Sequence, residues 1–153
     1  MARVNAGVDP RYLSDQHLIA ESVEITMITG NLKVNKNKIV GDIPAQFCLG
    51  PGHINFFKDK LIYLAIRLSK VNAEMIRRGF SPGTSIRITE YPQELWWGWN
   101  PSPSDTDLVK NRICERLMNP KKAKAGFHKY YGKPIADIQA FCQELLISKR
   151  YFV

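Results

Sequence analysis

The run Asp15-Gln16-His17-Leu18-Ile19-Ala20-Glu21-Ser22-Val23-Glu24 gathers acid–base side chains near the start of the chain. Ser14 precedes it, and a serine hydroxyl accepts from the free amides of a first helical turn, so a helix is expected to begin there. At about 100° per residue, His17, Glu21 and Glu24 share one face, and Leu18 and Ile25 lie on a neighbouring one. Carboxylates aimed at one spot suit proton transfer or the stabilisation of positive charge at a reacting carbon. A solvated acidic face is the plain alternative. A third possibility takes His17, Glu21 and Glu24 as ligands of a metal ion.

The N-terminus offers a nucleophile. In Met1-Ala2-Arg3-Val4-Asn5 the second residue is small, so removal of Met1 is expected, leaving the α-amine on Ala2. An α-amine has a pKa of about 8 against about 10.4 for lysine, so far more of it is neutral and nucleophilic at neutral pH. An ordinary frayed terminus is the alternative.

These groups need a scaffold. A chain of 153 residues, 44% hydrophobic and 24% charged, suits one folded domain with a real core. The net charge is +8 and the pI about 9.5, which favours a polyanionic partner, nucleic acid first and an anionic membrane surface second. The charge is uneven: residues 1–30 net −2, 31–80 net +6, 81–120 net −1 and 121–153 net +5. Basic surfaces would hold a phosphate backbone while a few carboxylates stay available to a reacting centre. No apolar run is long enough to span a bilayer and no signal peptide opens the chain. Cys48, Cys114 and Cys142 are odd in number and far apart, which suggests a reducing, intracellular setting.

Along the chain, Asp9-Pro10 marks a turn or short helical start. Gly30 is the expected end of the first helix, and Asn31–Lys38 reads as an exposed basic loop that either contacts phosphate or is merely solvated. A long helix is expected from His53 to about Arg78, stopped by Gly79. Its apolar positions Ile54, Phe57, Leu61, Leu64, Leu68, Val71 and Met75 alternate by three and four, the mark of a buried stripe. Lys60, Arg67, Lys70 and Arg77 lie beside that stripe, as a backbone-binding groove or a solvated flank. Trp96, Trp97 and Trp99 sit in an irregular stretch, expected to be mostly core with one ring at the surface. A further helix is expected over Thr106–Leu117, capped by Ser104 or Asp105, with Arg112 and Arg116 one turn apart. Phe127-His128-Lys129-Tyr130-Tyr131-Gly132-Lys133 interleaves rings with cations, a pattern that suits nucleic acid. Ile135–Lys149 closes the chain as a short amphipathic helix. The expected fold is all-α: a single compact domain over 1–153 with three main helices, long loops and a short C-terminal helix.

The order and spacing of several blocks resemble the phage-type pyrimidine-dimer DNA glycosylases, the endonuclease V family. These blocks are Arg3-Val4-Asn5; Asp15-Gln16-His17-Leu18 with Ala20-Glu21 and Glu24; and Leu49-Gly50-Pro51-Gly52-His53. They continue with Phe56-Phe57 and Asp59-Lys60-Leu61, Arg78-Gly79-Phe80, Pro92-Gln93-Glu94, Arg112 with Arg116, and Lys129-Tyr130-Tyr131-Gly132-Lys133. The resemblance runs to about Lys133 and leaves 134–153 as a C-terminal extension. It implies an all-α fold and a glycosylase coupled to an abasic-site lyase, working without metal or other cofactor on double-stranded DNA that carries a damaged base, most simply a cyclobutane dimer. It implies catalytic roles for the Ala2 amine and Glu24, and DNA contacts for Arg3, Gln16, His17, Arg112, Arg116, Lys129, Tyr130 and Tyr131. It also implies a monomer with no membrane partner, in the cytoplasm of a bacterium or phage-infected host. Val23 and Met27 replace two family arginines on the first helix, Phe127 replaces a tryptophan and His128 a tyrosine. A different damaged base, or a non-catalytic DNA-binding module of the same fold, is therefore the competing expectation.

Overall fold

Ser14 does cap the first helix, its hydroxyl accepting from the His17 amide. In the computed structural model, which describes residues 4–83, 85–121 and 126–151, this helix is α1 (Asp15–Val34). It runs past Gly30, where an end was expected. The chain turns instead at Lys36 and Asn37, whose φ values are 54° and 63°. The Asn37 amide donates to the Leu32 carbonyl at 2.7 Å and the Lys36 amide to Lys33 at 3.1 Å, the paired bonds of a Schellman stop. Asn31–Val34 is thus the last helical turn rather than loop.

The expected long helix from His53 is two helices, α2 (His53–Phe56) and α3 (Leu61–Arg77). Between them the amides of Phe57, Lys58 and Lys60 donate three residues back, and the Trp97 amide donates to the Asp59 carbonyl at 3.1 Å. The tryptophan-rich segment therefore stitches itself onto the break. The apolar spacing carries across the break without a slip, so periodicity cannot reveal it. Gly79 stops α3 as expected, with φ 83° and the Phe80 amide donating to Met75 at 2.9 Å.

The next helix, α4 (Pro103–Met118), starts earlier than expected because Ser102 and Asp105 form a reciprocal capping box with Pro103 in the first turn. The aromatic-basic segment is a small hairpin rather than a loop: β1 (Lys129–Tyr130) pairs antiparallel with β2 (Lys133–Pro134). Its two-residue turn places Tyr131 and Gly132 at φ 51° and 78°, as a type I′ turn requires. Then α5 (Ile138–Ile147) follows, capped by Asp137. The fold is all-α, decorated among the described residues by one hairpin.

A single hydrophobic cluster unites Leu18, Ile25, Ile28 and Leu32 of α1, the α3 stripe, Val109, Ile113 and Leu117 of α4, and Cys142 and Leu145 of α5. The last helix is part of that core: the Lys110 ammonium donates to the Ser148 carbonyl at 2.6 Å, and the Tyr151 amide donates to Gly7 at 2.9 Å. Trp99 packs among Phe47, Phe56, Phe57 and Tyr63, while Trp97 is 63% exposed, so the tryptophans divide between core and surface as expected. Among the described residues no helix is long and apolar enough to cross a membrane.

Candidate active site

Ala2 and Arg3 lie outside the described residues. The segment that follows them is not frayed. Val4, Ala6 and Val8 are fully buried, and the chain is anchored on successive amides. The Val4 amide donates to His53 Nε2 at 3.1 Å. The Asn5 amide and side-chain amide donate to the two Glu21 oxygens at 3.0 and 3.1 Å. The N-terminal segment is thereby fixed to α1 at Glu21, one turn before Glu24.

The acidic helix is not a solvated face, for Asp15, Glu21 and Glu24 are all buried. Glu21 is paired with Arg67, which is also fully buried. Arg67 Nε and Nη2 donate to its two oxygens at 2.8 Å each, and Nη1 donates to the Val8 carbonyl. Asp15 accepts from Arg78 at 3.0 Å and from the hairpin amides of Tyr131 and Gly132 at 3.1 and 2.8 Å. Asp15 and Glu21 are thus committed to the fold. Among the described residues no group of three His, Cys, Asp or Glu is arranged to hold a metal; His17, Glu21 and Glu24 do not form one. The four cations beside the α3 stripe also separate. Arg67 is internal, Arg77 pairs with Glu74, Lys60 donates to Phe56 and Asp59, and Lys70 is exposed.

The hairpin and α4 meet the start of α1. Gln16 clamps the hairpin with both ends of its amide: Nε2 donates to the Phe127 carbonyl, and Oε1 accepts from the Lys129 amide at 2.9 Å. The His17 ring lies 5.5 Å from that of His128. Burial, followed by the neighbouring His128 and Arg116, lowers the His17 pKa to about 4, so the ring is neutral at physiological pH. Gln16, His17 and Arg116 therefore converge with Lys129, which is exposed. Arg112 stands one turn before Arg116 on α4, half-buried.

Tyr130 and Tyr131 have structural partners. Their rings lie over the Arg78 guanidinium at 4.6 and 4.9 Å. The Tyr130 hydroxyl donates to the Arg11 carbonyl and the Tyr131 hydroxyl to Glu74, both at 2.9 Å. Arg78 also donates to Glu74 and to the carbonyls of Leu13 and Pro10, which locks hairpin, α1 and α3 together. The ring left outermost is Phe127, 53% exposed. The places of His53, Arg67, Arg78 and Asp15 in the fold left no local spacing in the sequence, because their partners include residues on distant segments.

Val23 and Met27, on either side of Glu24, are 51% and 62% exposed, so an apolar strip adjoins the buried carboxylate. Beside the C-terminal half of α1 opens a cleft of about 540 Å³ lined by Thr26, Thr29, Gly30, Lys33, Arg87 and Tyr91, among others.

Residues 1–88 match the family described as pyrimidine dimer DNA glycosylase. The matched span includes the N-terminal segment, α1, α2 and α3, with His17, Glu21 and Glu24 on α1 and His53 opening α2. It stops short of α4 and the hairpin, and so of Arg112, Arg116 and Lys129–Tyr131. More than half of the chain is matched, and the protein belongs to the pyrimidine dimer DNA glycosylases, DNA repair enzymes whose substrate is DNA.

Proposed function

We propose that the protein excises a damaged pyrimidine, with a cyclobutane dimer as its simplest substrate, and then cleaves the strand as an abasic-site lyase. The Ala2 amine, freed by loss of Met1, attacks C1′ of the damaged nucleotide. The C1′–N bond breaks, and the base leaves with the bonding electrons and collects a proton. The attached nitrogen gives up one proton, the C1′–O4′ bond breaks with O4′ taking its electrons and a proton, and the nitrogen, keeping one hydrogen, is left as an iminium with C1′. A C2′ proton is then removed and the C3′–O bond breaks, releasing the 3′ phosphate. Glu24 stabilises the positive charge that develops at C1′ and carries protons during ring opening and elimination.

The observation that carries this reading is the anchoring of the N-terminal segment. Asn5 is bonded to Glu21, Glu24 is one helical turn on and buried, and Ala2 is three residues from Asn5, a reach of at most about 10 Å. That short span of chain supports a reading in which the amine and the carboxylate serve one reacting carbon. Arg3, Gln16, His17, Arg112, Arg116 and Lys129, with Tyr130 and Tyr131 in the same hairpin, contribute the surface that meets DNA. Residues 1–153 act as one domain, monomeric, with no cofactor.

The decisive variant is Glu24→Gln on a duplex with one cyclobutane thymine dimer. Strand cleavage should fall about 10²–10⁴-fold, and undamaged duplex should stay intact. Unchanged cleavage would refute the role of Glu24. A second reading, a different damaged base, is favoured by Val23 and Met27, apolar and exposed beside Glu24. A panel of single-lesion duplexes separates the two by which one is cut fastest.

A further inference from the structure

We infer that His53 is a positioning residue for the amine nucleophile, an inference that rests on the Ala2 chemistry proposed above. His53 is fully buried at the start of α2. Its Nδ1 lies 2.9 Å from the Cys48 carbonyl oxygen. A carbonyl only accepts, so Nδ1 carries the hydrogen. Nε2 is then the bare nitrogen, and it accepts the Val4 amide at 3.1 Å. The two bonds fix the tautomer together and are consistent with the neutral ring alone. The ring is held edge-on by Phe47 and Phe57, at centroid distances of 5.5 and 5.3 Å. Gly52, immediately before it, has φ 92°, and a Cβ there would meet Pro44 at 2.9 Å. The turn that delivers His53 is therefore confined from several sides.

Val4 is two residues from Ala2, so the bond to His53 holds the chain within about 7 Å of the attacking amine. The next amide, that of Asn5, is held by Glu21. These successive bonds fix the position and heading of the chain at Val4 and Asn5. An attacking group loses rate steeply with small misplacement, on the order of 100-fold for about 1 Å. Glu21 sets the depth of the segment, and His53 sets its heading.

The test pairs His53→Gln with His53→Asn. The Gln carboxamide reaches the place of Nε2 and offers an oxygen to the Val4 amide. Asn reaches only the place of Nδ1, so it keeps the link to Cys48 and loses the link to Val4. Single-turnover formation of the borohydride-trapped adduct is measured on saturating abasic-site duplex, beside binding to a duplex with an uncleavable abasic analogue. Expected is a trapping rate about 10- to 100-fold lower for Asn, affinity within about twofold of the unsubstituted protein, and recovery in Gln to within about threefold. Hydrogen exchange at the Val4 amide, read without DNA, should quicken in Asn and not in Gln. Equal rates in the two variants, or a rate loss matched by an equal loss of affinity, would overturn the inference. An unsubstituted protein that forms no adduct on Ala2, while its Val4 amide is protected, would refute the amine chemistry and the inference built on it, and is recognised separately from a failure of His53 alone.

Discussion

Glu21 and Glu24 are one helical turn apart and both buried, yet they should respond to the same substitution in opposite ways. In Glu21→Gln the carboxylate that accepts four hydrogen bonds, two from Arg67 at 2.8 Å and two from Asn5 at 3.0 and 3.1 Å, becomes an amide. One oxygen still accepts. The new NH₂ faces donors, and the fully buried Arg67 charge loses its counter-ion. Stranding one partner of a buried pair costs about 3–5 kcal/mol, out of a total of about 5–15 kcal/mol for a domain. At roughly 2–4 °C per kcal/mol for a chain of this length, Tm should fall by about 6–20 °C. Glu24→Gln strands no buried arginine and should lower Tm by less than Glu21→Gln does, while strand cleavage falls about 10²–10⁴-fold. Replacing both partners, Glu21→Leu with Arg67→Met, should recover much of the lost Tm because no charge is stranded. Thermal unfolding followed by circular dichroism reads all three. A Tm change below about 2 °C for Glu21→Gln would refute the structural assignment of this carboxylate.

The His17 pKa, lowered to about 4 from 6.5, means that the unfolded ring takes a proton that the folded ring refuses. Its contribution to stability is fully present above pH 6.5 and is lost as pH falls toward 4, an effect of up to about 3 kcal/mol; His17→Gln should flatten this slope in urea midpoints measured across that window, and an unchanged slope would contradict it. Gly7→Ala puts a Cβ 1.9 Å from the Thr106 hydroxyl oxygen at φ 78°, so it should cost about 2–4 kcal/mol, checked by denaturant unfolding. Arg116→Ala should weaken DNA binding and reduce the slope of log K against log salt by about one phosphate contact, roughly 0.9; an unaltered slope in fluorescence anisotropy would remove Arg116 from the interface.

Signals that depend on local spacing were legible in the sequence. The three-four alternation marked the α3 stripe, Ser14 and Gly79 marked helix ends, and the blocks around Arg3, Gln16-His17 and Glu24 pointed to the family that residues 1–88 match. What was missed is non-local. The α2–α3 break is made by Asp59 meeting Trp97 across the fold. The first helix passes Gly30 because burial of Ile28 and Leu32 outweighs one glycine's propensity. Arg67 reads as part of a backbone-binding groove or a solvated flank because a charge pattern does not show which arginines have buried carboxylates waiting on another helix. The partners of Tyr130 and Tyr131 within the fold, Glu74, Arg11 and Arg78, are likewise distant in sequence.

The amine chemistry is tested most directly by borohydride reduction of the protein mixed with duplex DNA carrying one abasic site, followed by mass mapping of the adduct. A single adduct on the Ala2 α-amine, formed equally with a cyclobutane-dimer duplex, is the predicted result. An adduct on a lysine side chain, or none from protein that has lost Met1, would contradict it.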